Sequence, residues 1–542
     1  MTRHRIALVG ALALAGLMTA SALASDYEIT DLEAPRECTY LIVAADAFAQ
    51  HCDELLRHRA AQGHSVGLVA LSTIIAHADG APPVPEALVD ALRHARNAWQ
   101  TQYVLLVGDA VGGAGATIPM RRERASYYST KFLSEPELAT DYHYGTLGGD
   151  EIAIHVGRLP VDTPGELAAL IAKTVGYETS LAAGPWQRKV SFIAGTSGFG
   201  TLTDSVIQAQ FTQIAAKDIP ASYDVEIAHA QANSPYCPFP PSFSGNALRM
   251  LNEGSLYYVY VGHGTRTGCD DLKWQGRTYP ILDMSSLQHI AVTRGLPIMV
   301  IIACHTGFLD APEGDSIAEE LLRLPAGPVA VLASTRVCQP YGNALLGKGL
   351  ALSAFSDEHE TLGQVVDAAK AAVLAPDPSP FRQQADTFAA MLQGPDAPTR
   401  MRADVVRHYN LLGDPALRVR RPSANLTLQA NLEQPRRFTV SGQAPIAQGR
   451  ALITLEVPRG TAQSGQQTTA AESGDVAATM QARYQAANNT VRVRVEVHVT
   501  DYGFAASLPV PHALPPGSYT VKALVWSQVG AAAGAAHVDI AL

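Results

Sequence analysis

The sequence has few charged residues and no block of basic ones. Lys, Arg, Asp and Glu make up 17% of the 542 residues, and the formal net charge is -10. Proteins whose main partner is nucleic acid usually carry a basic patch, so this mildly acidic composition argues against that class. Beyond the N-terminus the sequence also lacks an apolar run long enough to cross a membrane. Hydrophobic residues still account for 47% of the chain, which is enough for the cores of more than one domain.

The N-terminus is the one segment with the features of an export signal. Arg3 and Arg5 precede an apolar stretch from Ile6 to Met18, and Ala22-Leu23-Ala24 provides an A-x-A cleavage pattern. We predict that residues 1–24 are a signal peptide and that the mature protein is secreted, periplasmic or on the cell surface. An uncleaved segment that anchors the protein to the membrane is the alternative.

Cysteine is scarce, and its spacing excludes one common use. No C-x-x-C pair occurs, so a structural zinc site is not expected. Export would permit disulfides, and Cys38–Cys52 and Cys237–Cys269 are candidate pairs whose connectivity the sequence cannot decide. If Cys304 is a free thiol, an odd number is left and at least one other cysteine stays unpaired. The last of the six is Cys338.

Two α/β parts follow the signal peptide, at residues 25–185 and 186–421. Each alternates short apolar strands with helical segments, which is typical of βαβ units around a parallel sheet covered on both faces. The second part begins after Gly184-Pro185. A helical pair is predicted near its end, around Thr361–Leu374 and Arg402–Leu411. We therefore expect an α/β fold with two parallel-sheet subdomains in tandem.

The last part, residues 422–542, has a different pattern. After Arg421-Pro422 the sequence shows short segments of alternating polarity with turn residues between them. This pattern indicates an all-β sandwich of immunoglobulin-like size, attached as an accessory module. Within it, Ser464 to Ala487 is polar and low in complexity.

Two apolar strands of the second part each end at a reactive side chain. YYVYVGHG, ending at Gly264, places His263 after one strand, and IMVIIAC ends at Cys304. In an open parallel sheet, groups at the carboxyl ends of strands line the crevice where ligands bind, so we expect these two residues to lie side by side. A thiol beside an imidazole supports covalent acyl transfer, because the imidazole takes the thiol proton and later protonates the leaving amine.

Other interpretations of these residues are weaker. Cys304 could pack as a small buried hydrophobe. His305 competes as the base, but along an extended segment its side chain points away from that of Cys304. The strings around Ser197 and His263 are similar to boxes of subtilisin-like serine proteases, which require the order Asp, His, Ser. Here Ser197 precedes His263.

The surrounding phrases resemble the gingipain family of cysteine peptidases (peptidase C25), in the caspase–legumain–gingipain clan. A strand ending in His-Gly and a later strand ending in Ala-Cys resemble the clan's signature. The resemblance spans roughly residues 38–421, and it implies a caspase-like catalytic subdomain preceded by a related α/β subdomain. The matching phrases are YVLLVGDA (Tyr103–Ala110), TDYHYGTLGGD (Thr140–Asp150), HVGRLPV (His155–Val161), GPVAVLAST (Gly327–Thr335) and NLLGDPALRVR (Asn410–Arg420).

The resemblance also implies roles for individual residues. Cys304 and His263 would be catalytic, and the backbone N–H groups of Gly264 and Cys304 would hold the oxyanion. Where gingipains carry an acidic residue, this chain has Ser197, so a dyad without a third member is expected. Asp204 lies near the position of the carboxylate that receives the substrate's basic side chain in arginine-specific gingipains. Capping of the following helix is the alternative role of Asp204.

Calcium is the one ligand besides substrate that the resemblance suggests. Some gingipains bind calcium in loops, and Asp310, Glu313 and Asp315 beside the catalytic strand offer oxygen ligands. A solvated acidic turn is the alternative. Asp109 and Asp150 are interpreted as turn residues. No cofactor is required.

Taken with the resemblance, these residues predict a secreted cysteine endopeptidase that acts on extended polypeptides through a thioester acyl-enzyme. Two alternatives stay open. One is a catalytically idle relative that serves as a surface or assembly protein. The other is a processing peptidase that removes sorting signals from exported proteins.

Overall fold

The computed structural model describes residues 26–113, 115–130, 133–196, 198, 214–434, 437–459, 475–512 and 514–540. The predicted signal peptide, residues 1–24, therefore lies outside the described residues. Of the helices within these ranges, none is long and apolar enough to span a membrane.

A ten-stranded sheet forms the centre of the α/β part, and helices cover it. Smaller two-stranded ladders (β4 with β5, β10 with β11, β12 with β13) lie outside it. The strands are β1 (Tyr40–Ala44), β2 (Val66–Ala70), β3 (Tyr103–Val107), β4 (Arg121–Arg124), β5 (Glu137–Thr140), β6 (His155–Leu159), β7 (Lys189–Ala194), β8 (Asp224–His229), β9 (Tyr257–Val261), β10 (Gly264–Thr265), β11 (Gly268–Cys269), β12 (Asp271–Trp274), β13 (Arg277–Pro280), β14 (Ile298–Ile302), β15 (Ala330–Ser334) and β16 (Tyr409–Leu412). The α-helices are α1 (Asp53–Ala61), α2 (Leu71–His77), α3 (Val84–Ala98), α4 (Tyr142–Thr146), α5 (Pro164–Thr179), α6 (Phe243–Asn252), α7 (Ile317–Arg323), α8 (Pro340–Ser353), α9 (Leu362–Leu374), α10 (Pro380–Gln393) and α11 (Ala397–His408).

Strands from both predicted α/β parts belong to this single sheet, in the order β2-β1-β3-β6-β16-β15-β14-β9-β7-β8. The four strands of the first part are parallel to one another. The strands from β15 to β8 are also mutually parallel. Between the two sets, β16 pairs antiparallel with β15 and parallel with β6, so the sets run in opposite directions.

Strand β16 corrects one prediction from the sequence. The helix predicted to continue to Leu411 ends at His408, and Tyr409–Leu412 is a strand whose four residues are all buried. A short, mostly apolar segment such as this one, with Asn410 as its one polar residue, fits a buried helix or a buried strand equally well by periodicity. Here the hydrogen-bonding partners on both sides decide in favour of the strand, which joins the two halves of the sheet.

Buried ion pairs surround this junction. Arg158 in β6 donates to both carboxylate oxygens of Asp141 at 2.8 Å and to the main-chain oxygens of Gly108 and Ile118 at 2.9 and 2.8 Å. A second buried arginine, Arg59 of α1, donates to the carboxylate of Asp414 just after β16, at 2.8 and 3.0 Å. Buried charges are tolerated where they are paired and hydrogen-bonded in this way.

The C-terminal part is a separate antiparallel sheet in the order β17-β18-β21-β20-β19-β22-β23. Its ends approach each other: Ser423 pairs with Ala532, and a Cβ on Gly534 would lie 2.8 Å from the Leu426 side chain. The sheet is therefore nearly closed around its own core, which confirms the predicted β-sandwich as an architecture. The strands are β17 (Thr427–Gln434), β18 (Arg437–Gln443), β19 (Gln448–Glu456), β20 (Val491–Thr500), β21 (Gly503–Pro509), β22 (Gly517–Trp526) and β23 (Ala531–Ile540).

A helix in this part, α12 (Val476–Asn488), was not predicted, since its sequence is polar and simple. It begins at Asp475, whose carboxylate accepts hydrogen bonds from the N–H groups of Ala477 and Ala478. The helix lies against β8, the edge strand of the large sheet. The Asn488 side-chain amide accepts from the N–H of Ile227 at 2.8 Å and donates to its C=O at 2.9 Å. It thereby fills the place of a neighbouring strand at an edge that would otherwise be open.

Candidate active site

His263 and Cys304 follow adjacent strands of the sheet. β9 and β14 are parallel neighbours in which Val261 pairs with Ile302, so the residues two positions further on lie at the same edge. Both side chains line one cavity of about 670 Å³, whose walls are mostly apolar side chains from one face of the sheet and from α8. Gly264 lies close to the main chain of Cys304, because a Cβ there would lie 2.7 Å from the Cys304 carbonyl oxygen. The structure therefore brings together the two residues that the sequence paired.

The Cys304 thiol is half-buried and has a main-chain donor beside it. The N–H of Cys338 lies 3.3 Å from Cys304 Sγ, and Sγ lies 3.7 Å from the Cys338 carbonyl oxygen. Burial raises the pKa of the Cys304 thiol and the charge of Glu135 raises it further, while the Cys338 N–H acts in the opposite direction. A thiol in this environment needs a base to become a nucleophile at neutral pH.

The main chain of His263 is held by the strand that precedes it. Tyr260 donates its hydroxyl hydrogen to the His263 carbonyl oxygen at 2.7 Å, and the Tyr260 hydroxyl oxygen accepts the N–H of Asp270 at 3.0 Å. The imidazole ring lies near Gly198, because a Cβ on that glycine would lie 3.4 Å from His263 Nε2. The half-buried imidazole therefore lies close to the segment after β7.

Asp270 is a site residue that the sequence did not single out. Its carboxylate accepts hydrogen bonds from the N–H of Thr196, at 2.9 Å, and from the Thr196 hydroxyl. These bonds tie the segment after β7 to the hairpin that follows His263. Nothing in the sequence distinguishes Asp270 from its acidic neighbour Asp271, because only the folded hairpin brings one of them to Thr196.

His305 is turned toward a carboxylate. Its Nε2 lies 3.0 Å from Glu135 Oε1, and its ring stacks on Phe308 with 5.4 Å between centroids. Its φ of 56° is in the left-handed region, which side chains other than glycine seldom adopt. The expectation of an extended segment at His305 is therefore wrong, and His305 lines the same cavity as Cys304 and His263.

Two predicted site residues, Ser197 and Asp204, lie outside the described residues. The predicted third position and the predicted pocket carboxylate therefore remain expectations from the resemblance. Among the described residues that line the cavity, none is a carboxylate.

The three predicted calcium ligands are separated from one another by their partners. Asp310 accepts a bidentate pair of bonds from Arg336, both at 2.7 Å, and Asp315 forms an ion pair with Arg323. Glu313 is exposed. A carboxylate with a guanidinium bound across both oxygens has little capacity left for a metal ion.

A different carboxylate group forms nearby, from Asp109, Asp315 and Glu319. Their oxygens all lie within 4.8 Å of one another, and such a group could hold a cation. Glu319 is 1% exposed, and its Oε1 has no hydrogen-bond partner among the described residues. Burial raises the pKa of the Glu319 carboxyl well above its usual value, and the nearby charge of Asp109 adds to this. Asp109, interpreted from sequence as a turn residue, thus belongs to a buried acidic group.

Comparison with known proteins agrees with this architecture. The pattern of peptidase family C25 matches residues 33–420, well over half of the chain. The crystal structure of the Arg-specific cysteine proteinase gingipain R (RgpB) is similar with a TM-score of 0.51, at 15% identity over 93% of this chain and 98% of that one. A complex of the pro- and mature domains of RgpB from Porphyromonas gingivalis gives 0.50, at 15% identity over 92% and 99%. No curated protein sequence matches. The chain therefore belongs to peptidase family C25.

Proposed function

We propose that this chain is a secreted cysteine endopeptidase in which Cys304 is the nucleophile and His263 the base. The observation that carries the proposal is the position of the two side chains, at the ends of paired strands and on the wall of one cavity. Membership of a cysteine peptidase family supports the reaction class. The signal-like N-terminus supports export.

The reaction would proceed by acyl transfer. His263 takes the proton of the Cys304 thiol as the sulfur attacks the scissile carbonyl carbon, and the C=O electron pair moves to oxygen. The N–H groups of Gly264 and Cys304 would hold this oxyanion. The C–N bond then breaks as His263 protonates the leaving amine, which leaves a thioester on Cys304. Water, deprotonated by His263, attacks the thioester and releases the carboxylic acid and the thiol.

The test is cleavage of a mixed peptide library, read by mass spectrometry of the products. Cys304→Ala should remove all cleavage that wild type shows, and His263→Ala should reduce it by at least about a hundredfold. Cys237→Ala, at a buried cysteine outside the cavity, is the matched control and should cut like wild type. Identical product patterns from wild type and Cys304→Ala would rule out the peptidase assignment.

The finer architecture is also part of the proposal. We interpret the two sets of parallel strands as related caspase-like subdomains in tandem, with boundaries near residues 185 and 421, and the C-terminal sheet as immunoglobulin-like. The reversal of strand direction at β16 supports a division of the sheet into two sets.

Calcium binding stays a proposal, now directed at Asp109, Asp315 and Glu319. Its support is the grouping of their oxygens and the unpartnered Oε1 of Glu319. Oxygen ligands of this kind suit a hard cation such as calcium. Calcium should raise the melting temperature of wild type at neutral pH but not that of Glu319→Gln. Equal shifts in both proteins, or a shift in neither, would contradict this assignment.

A further inference from the structure

The turn after β15 contacts the sulfur of the nucleophile. It consists of Arg336, Val337 and Cys338, and its last N–H lies 3.3 Å from Cys304 Sγ. A hydrogen bond donated to sulfur favours the thiolate over the thiol, because the charged form is the stronger acceptor. Whatever fixes this turn therefore influences how easily Cys304 ionises.

Glu135 fixes the turn through its carboxylate. Oε2 accepts the N–H of Val337 at 2.9 Å, and Oε1 lies 3.0 Å from His305 Nε2. Burial acts to raise the pKa of the Glu135 carboxyl, but the hydrogen bonds from His305 and Val337 outweigh it and the pKa is lowered. Glu135 is therefore a carboxylate at neutral pH. These contacts form a closed circuit, meaning a ring of connected residues. Cys304 is followed by His305, His305 bonds to Glu135, Glu135 bonds to the turn, and the turn bonds to the Cys304 sulfur.

His305 is held in its unusual conformation by several contacts. Its N–H donates to the Arg336 carbonyl at 3.3 Å, and its ring stacks on Phe308. The guanidinium of Arg336 lies 4.7 Å from the centroid of the same Phe308 ring, and its two terminal nitrogens donate to the Asp310 carboxylate. A positive φ at a residue with a β-carbon is unfavourable and persists where the surroundings impose it, often at functional sites.

We propose that Glu135 and His305 are positioning residues for the nucleophile, which hold the turn so that the Cys338 N–H hydrogen-bonds Cys304 Sγ. The proposal rests on the proposed role of Cys304 in peptide hydrolysis. Both residues would act through the turn and not on the substrate. The negative charge of Glu135 by itself disfavours the Cys304 thiolate, and the hydrogen bond between Glu135 and His305 offsets part of this effect. Glu135 can therefore favour the thiolate only by holding the Cys338 N–H beside Cys304 Sγ.

Several titratable groups lie near Cys304 or Glu135, and three of them keep one charge state near neutral pH. Burial raises the pKa values of Cys338 and Tyr409 far above their usual values and lowers that of His408 to about 3. The imidazoles of His263 and His305 line the same cavity as Cys304. Glu135 keeps its negative charge at neutral pH, because its pKa is lowered.

The test compares Glu135→Ala with Glu135→Gln. Both remove the negative charge, but glutamine keeps an oxygen that can accept the Val337 N–H. The readout is the rate at which iodoacetamide alkylates Cys304 as a function of pH, followed by mass spectrometry of the peptide that contains it. Compared with Glu135→Gln, we expect Glu135→Ala to be alkylated about tenfold more slowly at neutral pH, and the midpoint of its rate-against-pH curve to lie about one pH unit higher. Its kcat should be lower than that of the glutamine variant, with KM similar.

His305→Phe tests the same circuit from its other end. Phenylalanine keeps the stack on Phe308 and loses the bond to Glu135, so alkylation should again be slower than in wild type. If Glu135→Ala does not fold, the alkylation rate of His305→Phe still tests whether these contacts position the turn. Equal midpoints for the alanine and glutamine variants, or a wild-type profile for His305→Phe, would overturn the proposal. Because alkylation needs no turnover, its result is separate from failure of the peptidase assignment.

Discussion

Replacing Arg158 by methionine would remove a fully buried guanidinium beside the strand that joins the two halves of the sheet. The Asp141 carboxylate would stay buried without its counter-ion, and two main-chain oxygens would lose their donors. Breaking a buried pair by removing one partner costs about 3–5 kcal/mol. Each lost bond to a carbonyl adds about 1 kcal/mol. We expect the free energy of unfolding of Arg158→Met to fall by about 5–7 kcal/mol.

A double-mutant cycle in urea, followed by tryptophan fluorescence at neutral pH, measures whether the pair acts as a unit. Asp141→Leu alone would leave the arginine uncompensated, while the double variant removes both charges and should be more stable than Arg158→Met alone. The coupling energy should be about 3 kcal/mol. Arg93→Met is the control, because Arg93 and Asp90 form an exposed pair worth under about 1 kcal/mol. If the two single effects simply add in the double variant, the pair does not hold the junction.

Three further changes test other parts of the structure. Asn488→Ala should leave the edge of β8 unpaired, so amide hydrogen exchange at Ile227 and aggregation measured by light scattering should both increase. Gly157→Ala should lower the urea midpoint, because a Cβ there overlaps main chain after β16, whereas Gly176→Ala in open space on α5 should raise stability by about 1 kcal/mol; equal effects would refute this. The raised pKa of Glu319 means that the folded state binds its proton more tightly, so stability is lost as pH rises through the folded pKa. The stability of Glu319→Gln relative to wild type should therefore increase when the pH is raised from about 5 to about 8. If the urea midpoints of the two proteins change by the same amount between these pH values, the prediction is wrong.

Strand ends were predictable because the signals for them are local. A run of buried residues that stops at His263 or Cys304 can be read directly from the sequence, and the parallel sheet then places the two together. β16 and α12 were missed for different reasons. Tyr409–Leu412 is mostly apolar and too short to show a period, and pairing with its neighbours β6 and β15 makes it a strand. Helix α12 has little amphipathic pattern, and its position depends on the β8 edge.

The surroundings of the site were not predictable in the same way. Glu135 and Cys338 come from loops far from Cys304 in sequence, and each reaches the site by a side-chain or main-chain contact that no spacing encodes. Asp270 has the same character, since the hairpin decides that it and not Asp271 meets Thr196. Sequence patterns identify elements and their ends, whereas these contacts depend on loop conformations fixed by the rest of the fold.

The phrases that resemble the family form structural contacts within the large sheet, whereas His263 and Cys304 lie at its edge. Arg158 of HVGRLPV binds Asp141 of TDYHYGTLGGD and the main chain of Gly108 in YVLLVGDA. Asp414 of NLLGDPALRVR binds Arg59 and the hydroxyl of Tyr40. Hydrogen bonds of Arg158 and the close approach of Gly157 to Gly413 thus link four of the five phrases around β6 and β16. None of them touches the Cys304 sulfur. The family phrases and the proposed catalysis therefore rest on different residues of this chain, and replacement of Cys304 tests the proposed catalysis without disturbing the contacts of the phrases.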